Sequence, residues 1–198
     1  MRTSTTKEQL LEATLKLISE KGYLGATTRE IAQEAGVTEL TLFRHFGSKE
    51  RLFEALLNSY TFLPMLRDLL PELTELSYED ALRLIATRFL LSLKERKSMV
   101  KILYSEVNVY PEKVRKVYDR FINEVRATLA GYFSTLQRQG KLRNISPDMT
   151  AQVFHGMIFS YFRAEEIMGR TGMTKKKMEK DVRDFIDIFV HGIALDEQ

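Results

Sequence analysis

The sequence predicts an all-α protein, on three observations. Apolar residues recur three and four positions apart through most of the 198 residues. Glycine is sparse at 10 residues, and alternating β-branched runs are rare. Helix-opening signals, each a Ser or Thr two or three residues ahead of a Glu or Asp, recur along the chain.

Taken in order, these signals give nine or ten helices. Thr5-Thr6-Lys7-Glu8 is a capping box, followed by a stripe of Leu10, Leu11, Ala13, Thr14, Leu17 and Ile18 that Gly22 ends. Thr27-Thr28-Arg29-Glu30 opens a second helix in the same way. Thr38 caps a third and Ser48 a fourth, which runs through Leu52, Phe53, Leu56, Leu57 and Tyr60 toward Pro64. Pro64 and Pro71 kink or loop the connection after this helix. Ser77 opens a helix through Leu93, and a shorter one spans residues 98–107. Pro111 suits the start of a long helix to about Gln139. A polar loop at 140–145 leads to Ser146-Pro147, which starts a helix to about Met168. Residues 169–174 form a turn, and a last helix continues to about Ile193. The expected division is a head at residues 1–58 and a body at 59–198, with the boundary near Ser59 inside one continuous helix.

Bulk properties exclude several classes. There is no cysteine, so disulfides, thiolate metal sites and cysteine nucleophiles are ruled out. No basic start followed by an apolar run marks a signal peptide, and no long uncharged apolar stretch marks a membrane span. A cytoplasmic protein without membrane association is expected. The only histidines, His45, His155 and His191, lie far apart, and no Glu–His metal spacing appears. No Gly-rich phosphate loop follows a strand. The expectation is therefore no enzyme activity, no metal and no cofactor. Net charge is +3. The first 50 residues balance seven basic residues (Arg2, Lys7, Lys16, Lys21, Arg29, Arg44, Lys49) against seven acidic ones (Glu8, Glu12, Glu20, Glu30, Glu34, Glu39, Glu50). Any nucleic-acid affinity of this head must come from placement of charge, hydroxyls and helix N-termini, not from an overall field.

Residues 27–53 carry the sharpest signal. Ala32 is small enough for two helices to cross closely, Gly36 accepts the positive φ of a tight turn, and Leu42 supplies an apolar anchor facing back. This is helix-turn-helix spacing, which places a second helix in the DNA major groove. The same stretch resembles the N-terminal domain of the TetR family of bacterial transcriptional repressors. The resemblance rests on Thr27-Thr28, Ile31-Ala32, Ala35-Gly36-Val37, Phe43-Arg44-His45-Phe46 and Ser48-Lys49-Glu50, with the preceding run from Ala13 to Gly25. It covers roughly residues 5–57. One position departs: the family has Tyr where this chain has Phe43, so one phosphate-directed hydroxyl is missing.

On this reading Thr28 and Arg29 at one helix start, and Lys49 at another, face phosphates. Thr38 and His45 resemble the family's phosphate-contacting positions, beside their plain readings as an N-cap and a surface histidine. Thr41, Leu40, Glu39 and Arg44 are candidates for base edges, with Phe43 beside them. Glu39 serves equally as a complement to the helix dipole.

The body is rich in large flexible apolar groups: Phe62, Met65, Phe89, Met99, Tyr104, Phe121, Phe154, Met157 and Tyr161. They read either as core or as walls of a cavity, and the resemblance implies a small-effector cavity here. Phe and Met favour a lipophilic effector, and Arg88, Arg126 or Arg163 is available to an anionic head group. The last two long helices read as a homodimer surface through Phe154, Ile158, Tyr161, Phe185, Ile188 and Phe189, or else as a cover for the monomer core. The function implied is a ligand-responsive transcriptional regulator: a repressor that binds double-stranded palindromic operator DNA and leaves it when a small lipophilic effector binds. The alternative is a helical-bundle lipid-binding or carrier protein without DNA function.

Overall fold

A computed structural model describes residues 5–169 and 172–193. Among them are ten α-helices and no β-strand. The helices are α1 (Thr6–Gly25), α2 (Thr28–Glu34), α3 (Glu39–Phe46), α4 (Lys49–Tyr60), α5 (Phe62–Leu69), α6 (Tyr78–Glu95), α7 (Lys97–Glu106), α8 (Glu112–Arg138), α9 (Pro147–Phe162) and α10 (Lys175–Ile193).

The starts follow the capping chemistry. Thr5 and Thr27 both form complete capping boxes, with Glu8 and Glu30 returning to the cap backbone. Thr38, Ser48 and Ser146 each accept a backbone N–H from the first turn they precede. Gly22 adopts φ 77° and breaks α1 near its end.

The chain separates into two compact units. The first joins the residues up to Thr61 with Arg96–Phe121. Its core sets Leu10, Leu17, Ile18, Ile31, Leu42, Phe53 and Leu56 against Met99, Leu103, Tyr110 and Val114. Here α7 packs along α1. Residues 96–121 pack with the first unit, where Met99 and Leu103 of α7 join the core around Leu10, Leu17 and Ile18.

The second unit joins Phe62–Glu95 with the chain from Ile122 onward. In it α6 packs on α5, α9 and α10. Three rings form its centre: Phe133, Phe154 and Phe189 lie 5.2 to 5.9 Å apart, two of the contacts edge-on or nearly so as aromatic quadrupoles favour.

Two sequence expectations need correction. Ser59 lies within α4, but that helix stops at Tyr60 and does not continue into the next segment. The backbone extends at Thr61 (φ −114°, ψ −174°), and α5 starts afresh at Phe62. Pro64 sits in the first turn of α5, where a missing N–H is tolerated. The helix after Ser146 does not stay α-helical to Met168. It becomes a π-helix over Arg163–Met168, which turns Glu166 inward to 4% exposure. There the Glu166 carboxylate accepts the Met173 N–H at 2.8 Å. The turn expected at 169–174 falls partly outside the described residues.

Gly36 tests the logic of the turn. Its φ is 70°, and a methyl group there would meet nothing within 4 Å. The requirement is therefore conformational, not spatial. Gly36→Val should cost about 1–2 kcal/mol of stability, and Gly36→Asn distinctly less, as read from urea denaturation midpoints.

Candidate nucleic-acid interface and effector site

The first site is built by the turn between α2 and α3. Ala32 is 1% exposed and Leu42 is fully buried, so α3 is pinned by its inner face. The Val37 N–H reaches the Ala32 carbonyl at 2.9 Å, and the Gly36 N–H reaches that of Gln33 at 3.1 Å. With Leu42 and Phe46 turned in, the opposite face of α3 is left to solvent. Leu40 is 70% exposed and Phe43 41%. Arg44 and His45 are exposed beside them. Thr41, Arg44 and His45 border an open surface depression of roughly 330 Å³. An eight-residue helix showing two large apolar side chains to water gains from a partner with apolar edges.

The remaining candidates divide by what they touch. Thr38 caps α3, and its hydroxyl lies 2.9 Å from that of Thr41. Thr28 donates its hydroxyl to the Glu39 carboxylate at 2.6 Å. That bond ties α2 to α3 and commits one Glu39 oxygen within the protein, which favours a bracing role over base reading. Arg29 is exposed.

Lys49 does not project freely. Its ammonium donates to the Tyr23 carbonyl at 2.6 Å and sits 4.4 Å from the Tyr23 ring centroid. Burial pulls its pKa below the ordinary lysine value. Beside it, the Tyr23 N–H donates to the Glu106 carboxylate of α7 at 2.9 Å. The Glu106 carboxylate fills the space a side chain on Gly22 would need. So the exit of α1 is clamped from two sides, by Lys49 and by Glu106. Sequence reasoning missed Glu106. It lies 83 residues from Tyr23, and no local pattern announces it.

The effector candidates fall in both units. Met99 belongs to the first unit's core, with Phe121 packed against it. Tyr104, also in that unit, is 39% exposed. Met99 and Tyr104 stand on α7, which packs along α1, and Phe121 stands on α8. Phe154 is 1% exposed and held in the central ring cluster, so it is core. Phe62 and Phe89 do meet, at 4.7 Å between ring centroids, and Met65 and Met157 are half-buried in the same unit. The stack continues through a residue the effector set omitted. His155 lies 5.3 Å from Phe89 and 6.2 Å from Phe159, nearly parallel to both. The i, i+4 spacing of His155 and Phe159 was the available signal. Apart from this stack, Leu73, Tyr78, Gly131, Tyr132 and Lys141 line a groove of roughly 500 Å³ that no sequence pattern marked.

The dimer candidates also divide. Phe154, Ile158 and Phe189 are buried within their own chain, at 1%, 1% and 6% exposure, and offer a partner no surface. The reason is that Phe154 and Phe189 pack on each other and on Phe133 of α8, while α6 packs on both α9 and α10. Ile188 is 69% exposed, with Val153 at 50% and Met149 at 57% on α9. Tyr161 donates its hydroxyl to Asp181 at 2.7 Å and packs edge-on against Phe185 at 4.9 Å. Those two hold α9 and α10 together.

No helix among the described residues is long and apolar enough to cross a membrane.

A helix-turn-helix with a free outer face, joined to a larger helical unit, defines a transcription-regulator class. Comparison with known proteins agrees. Residues 10–56 match the bacterial regulatory proteins, tetR family. Residues 80–192 match the AefR-like transcriptional repressor, C-terminal domain. The chain belongs to the TetR family. It is 32% identical over 192 residues to the uncharacterized HTH-type transcriptional regulator YvkB of Bacillus subtilis, covering 96% of this chain and 98% of YvkB. The fold is similar to that of FadR from Bacillus subtilis in complex with stearoyl-CoA (TM-score 0.75, 18% identity, 93% and 97% of the two chains). It is also similar to AibR in complex with isovaleryl coenzyme A and operator DNA (TM-score 0.62, 22% identity, 93% and 97%).

His155 makes stability depend on pH. Burial, then the charge of Arg126, push its pKa down from 6.5 to about 4. The unfolded chain therefore binds the extra proton between those values, and stability falls as pH is lowered through that window. The loss should approach about 3 kcal/mol from this group. It should disappear in His155→Phe, as followed by denaturant titrations from pH 7.5 to 4.

Proposed function

We propose that the chain is a repressor that holds double-stranded operator DNA as a homodimer and releases it when a small lipophilic effector binds. The observation that carries the DNA half is the outer face of α3, where Leu40, Phe43, Arg44 and His45 are exposed and Thr41 half-buried beside them, while Leu42 and Phe46 anchor it. Thr41 and Leu40 suit a thymine methyl, and Arg44 suits a guanine edge or a phosphate. Arg29 and His45 flank that face as phosphate-directed groups, while the Thr28 and Thr38 hydroxyls brace it through Glu39 and Thr41. Phe43 lacks the hydroxyl of its family counterpart and would contribute apolar contact alone. Lys49, bound to Tyr23, acts by fixing the start of α4. The head at 1–58 carries recognition, with 96–121 as its structural support.

For the homodimer, Met149 and Val153 of α9 and Ile188 of α10 form an uncovered apolar set suited to a two-fold mate. Two copies would present two recognition helices to the halves of a palindrome. The effector half draws support from FadR and AibR, whose structures hold acyl coenzyme A ligands. The chain passes between its two units at 61/62, at 95/96 and within α8 at 121/122. A ligand that favours one arrangement of the second unit acts on recognition through these connections. A coupling of about 1–3 kcal/mol changes operator affinity by about 5- to 150-fold.

Genomic fragments recovered on the purified protein supply the operator for a mobility shift. Arg44→Ala should weaken binding at least about tenfold and reduce the salt slope by about 0.9 if it meets a phosphate. Absence of any salt-sensitive DNA binding would leave a helical lipid carrier instead. Ile188→Glu, with Val153→Glu, should give a folded monomer by sedimentation while the wild type sediments as a dimer.

A further inference from the structure

The first unit is uneven in charge. Residues 1–61 carry eight basic and eight acidic side chains, whereas residues 96–121 carry seven basic ones against Glu106, Glu112 and Asp119. The stretch with the recognition motif is neutral, and all the positive excess of its unit comes from the supporting segment. The packing of α8 says where part of that excess lies. Val114 and Val117 enter the core of this unit. Tyr110 packs 6.4 Å from the Phe53 ring of α4, and Arg120 pairs with Glu54 of α4 at 2.6 Å. The first turns of α8 therefore lie against α4, the helix that follows α3 after Gly47 and Ser48.

Lys113, Lys116 and Arg120 share one face of α8 by their spacing of three and four. Lys113 and Lys116 are exposed. Lys113 makes no ion pair among the described residues. Lys116 meets Glu112 one turn away, with both side chains largely in water, and such a pair holds its cation weakly. At the start of α4, backbone and Ser48 hydrogen bonds and then the charge of Lys113 hold the Glu50 carboxyl below its usual value. Lys49, the cation that the sequence places at that end, is turned to the Tyr23 carbonyl instead.

We infer that Lys113 and Lys116 of α8 form a second DNA contact, meeting backbone phosphates beside the half-site that α3 reads. This rests on the DNA half of the proposed function and extends it to residues outside the helix-turn-helix. A duplex presents one negative charge per about 1.7 Å of its axis, which suits a stripe of cations along one helix face. Phosphate contacts set affinity and register without reading sequence. A neutral head that reads bases and a cationic support that holds the backbone divide those two tasks.

The test measures the full chain on its recovered operator and on random duplex of equal length. Lys113→Gln with Lys116→Gln should weaken both complexes at least about tenfold at 0.1 M salt, and lower the salt slope by about 0.9 for each phosphate lost. Lys113→Arg with Lys116→Arg should keep affinity and slope. Lys176→Gln, which removes an exposed charge from α10 in the second unit, should change neither. An unchanged slope in the glutamine variant, the same loss in the arginine variant, a comparable loss per charge in Lys176→Gln, or a loss on the operator alone would each overturn the inference. A wild type that binds no DNA defeats the regulator and this contact together. An unaltered slope beside a wild type that binds defeats the contact alone and leaves α3 as the reader.

Discussion

The contact between α2 and α3 is the constraint on which recognition depends. Ala32 lets the helices approach, Gly36 reverses the chain at φ 70°, and Leu42 locks the second helix by burial. Ala32 and Leu42 are buried, and Gly36 carries no side chain, so none of the three can read DNA. Their effect is to decide which residues do. With Leu42 and Phe46 committed inward, Leu40, Thr41, Phe43, Arg44 and His45 are left outside by helical geometry alone. The bond from Thr28 to Glu39 then removes the remaining freedom between the helices. A recognition helix needs such rigid support, because base contacts tolerate little misplacement.

That support extends well beyond the motif. The exit of α1 is held by Lys49 from α4 and Glu106 from α7, both on Tyr23. Tyr23 itself packs on Phe53 and Tyr110. A residue that reads as a phosphate ligand thus serves as a brace, and its depressed pKa has the same origin as its immobility. The neutral balance of the first 50 residues fits this arrangement. Several of its charges are paired internally, as Lys16 is with Glu34 and Lys21 with Glu30, leaving Arg29 and Arg44 among the exposed cations.

The second unit combines two kinds of interior. Phe133, Phe154 and Phe189 form a fully apolar centre. The other is the stack of Phe62, Phe89, His155 and Phe159, which sets one imidazole among phenyl rings. Burial there is what holds the imidazole neutral.

The sequence by itself determined the helices and the recognition motif, because both are local. Capping boxes at Thr5 and Thr27, the positive φ at Gly36 and the periodic stripes act over three to seven residues, so their signals survive in one dimension. Tertiary structure alone decided which apolar residues are surface and which are core. Phe154, Ile158 and Phe189 carry the same hydropathy whether a second copy or their own chain covers them, and only packing brings Phe133 of α8 against Phe154 and Phe189. Likewise only the packing puts Met99 in the first unit's core with Phe121 against it. The bond from Tyr23 to Glu106, and the stacking of His155 on Phe89, join residues with no sequence relation. Burial is a property of the whole chain's arrangement, whereas helix initiation is a property of its nearest neighbours.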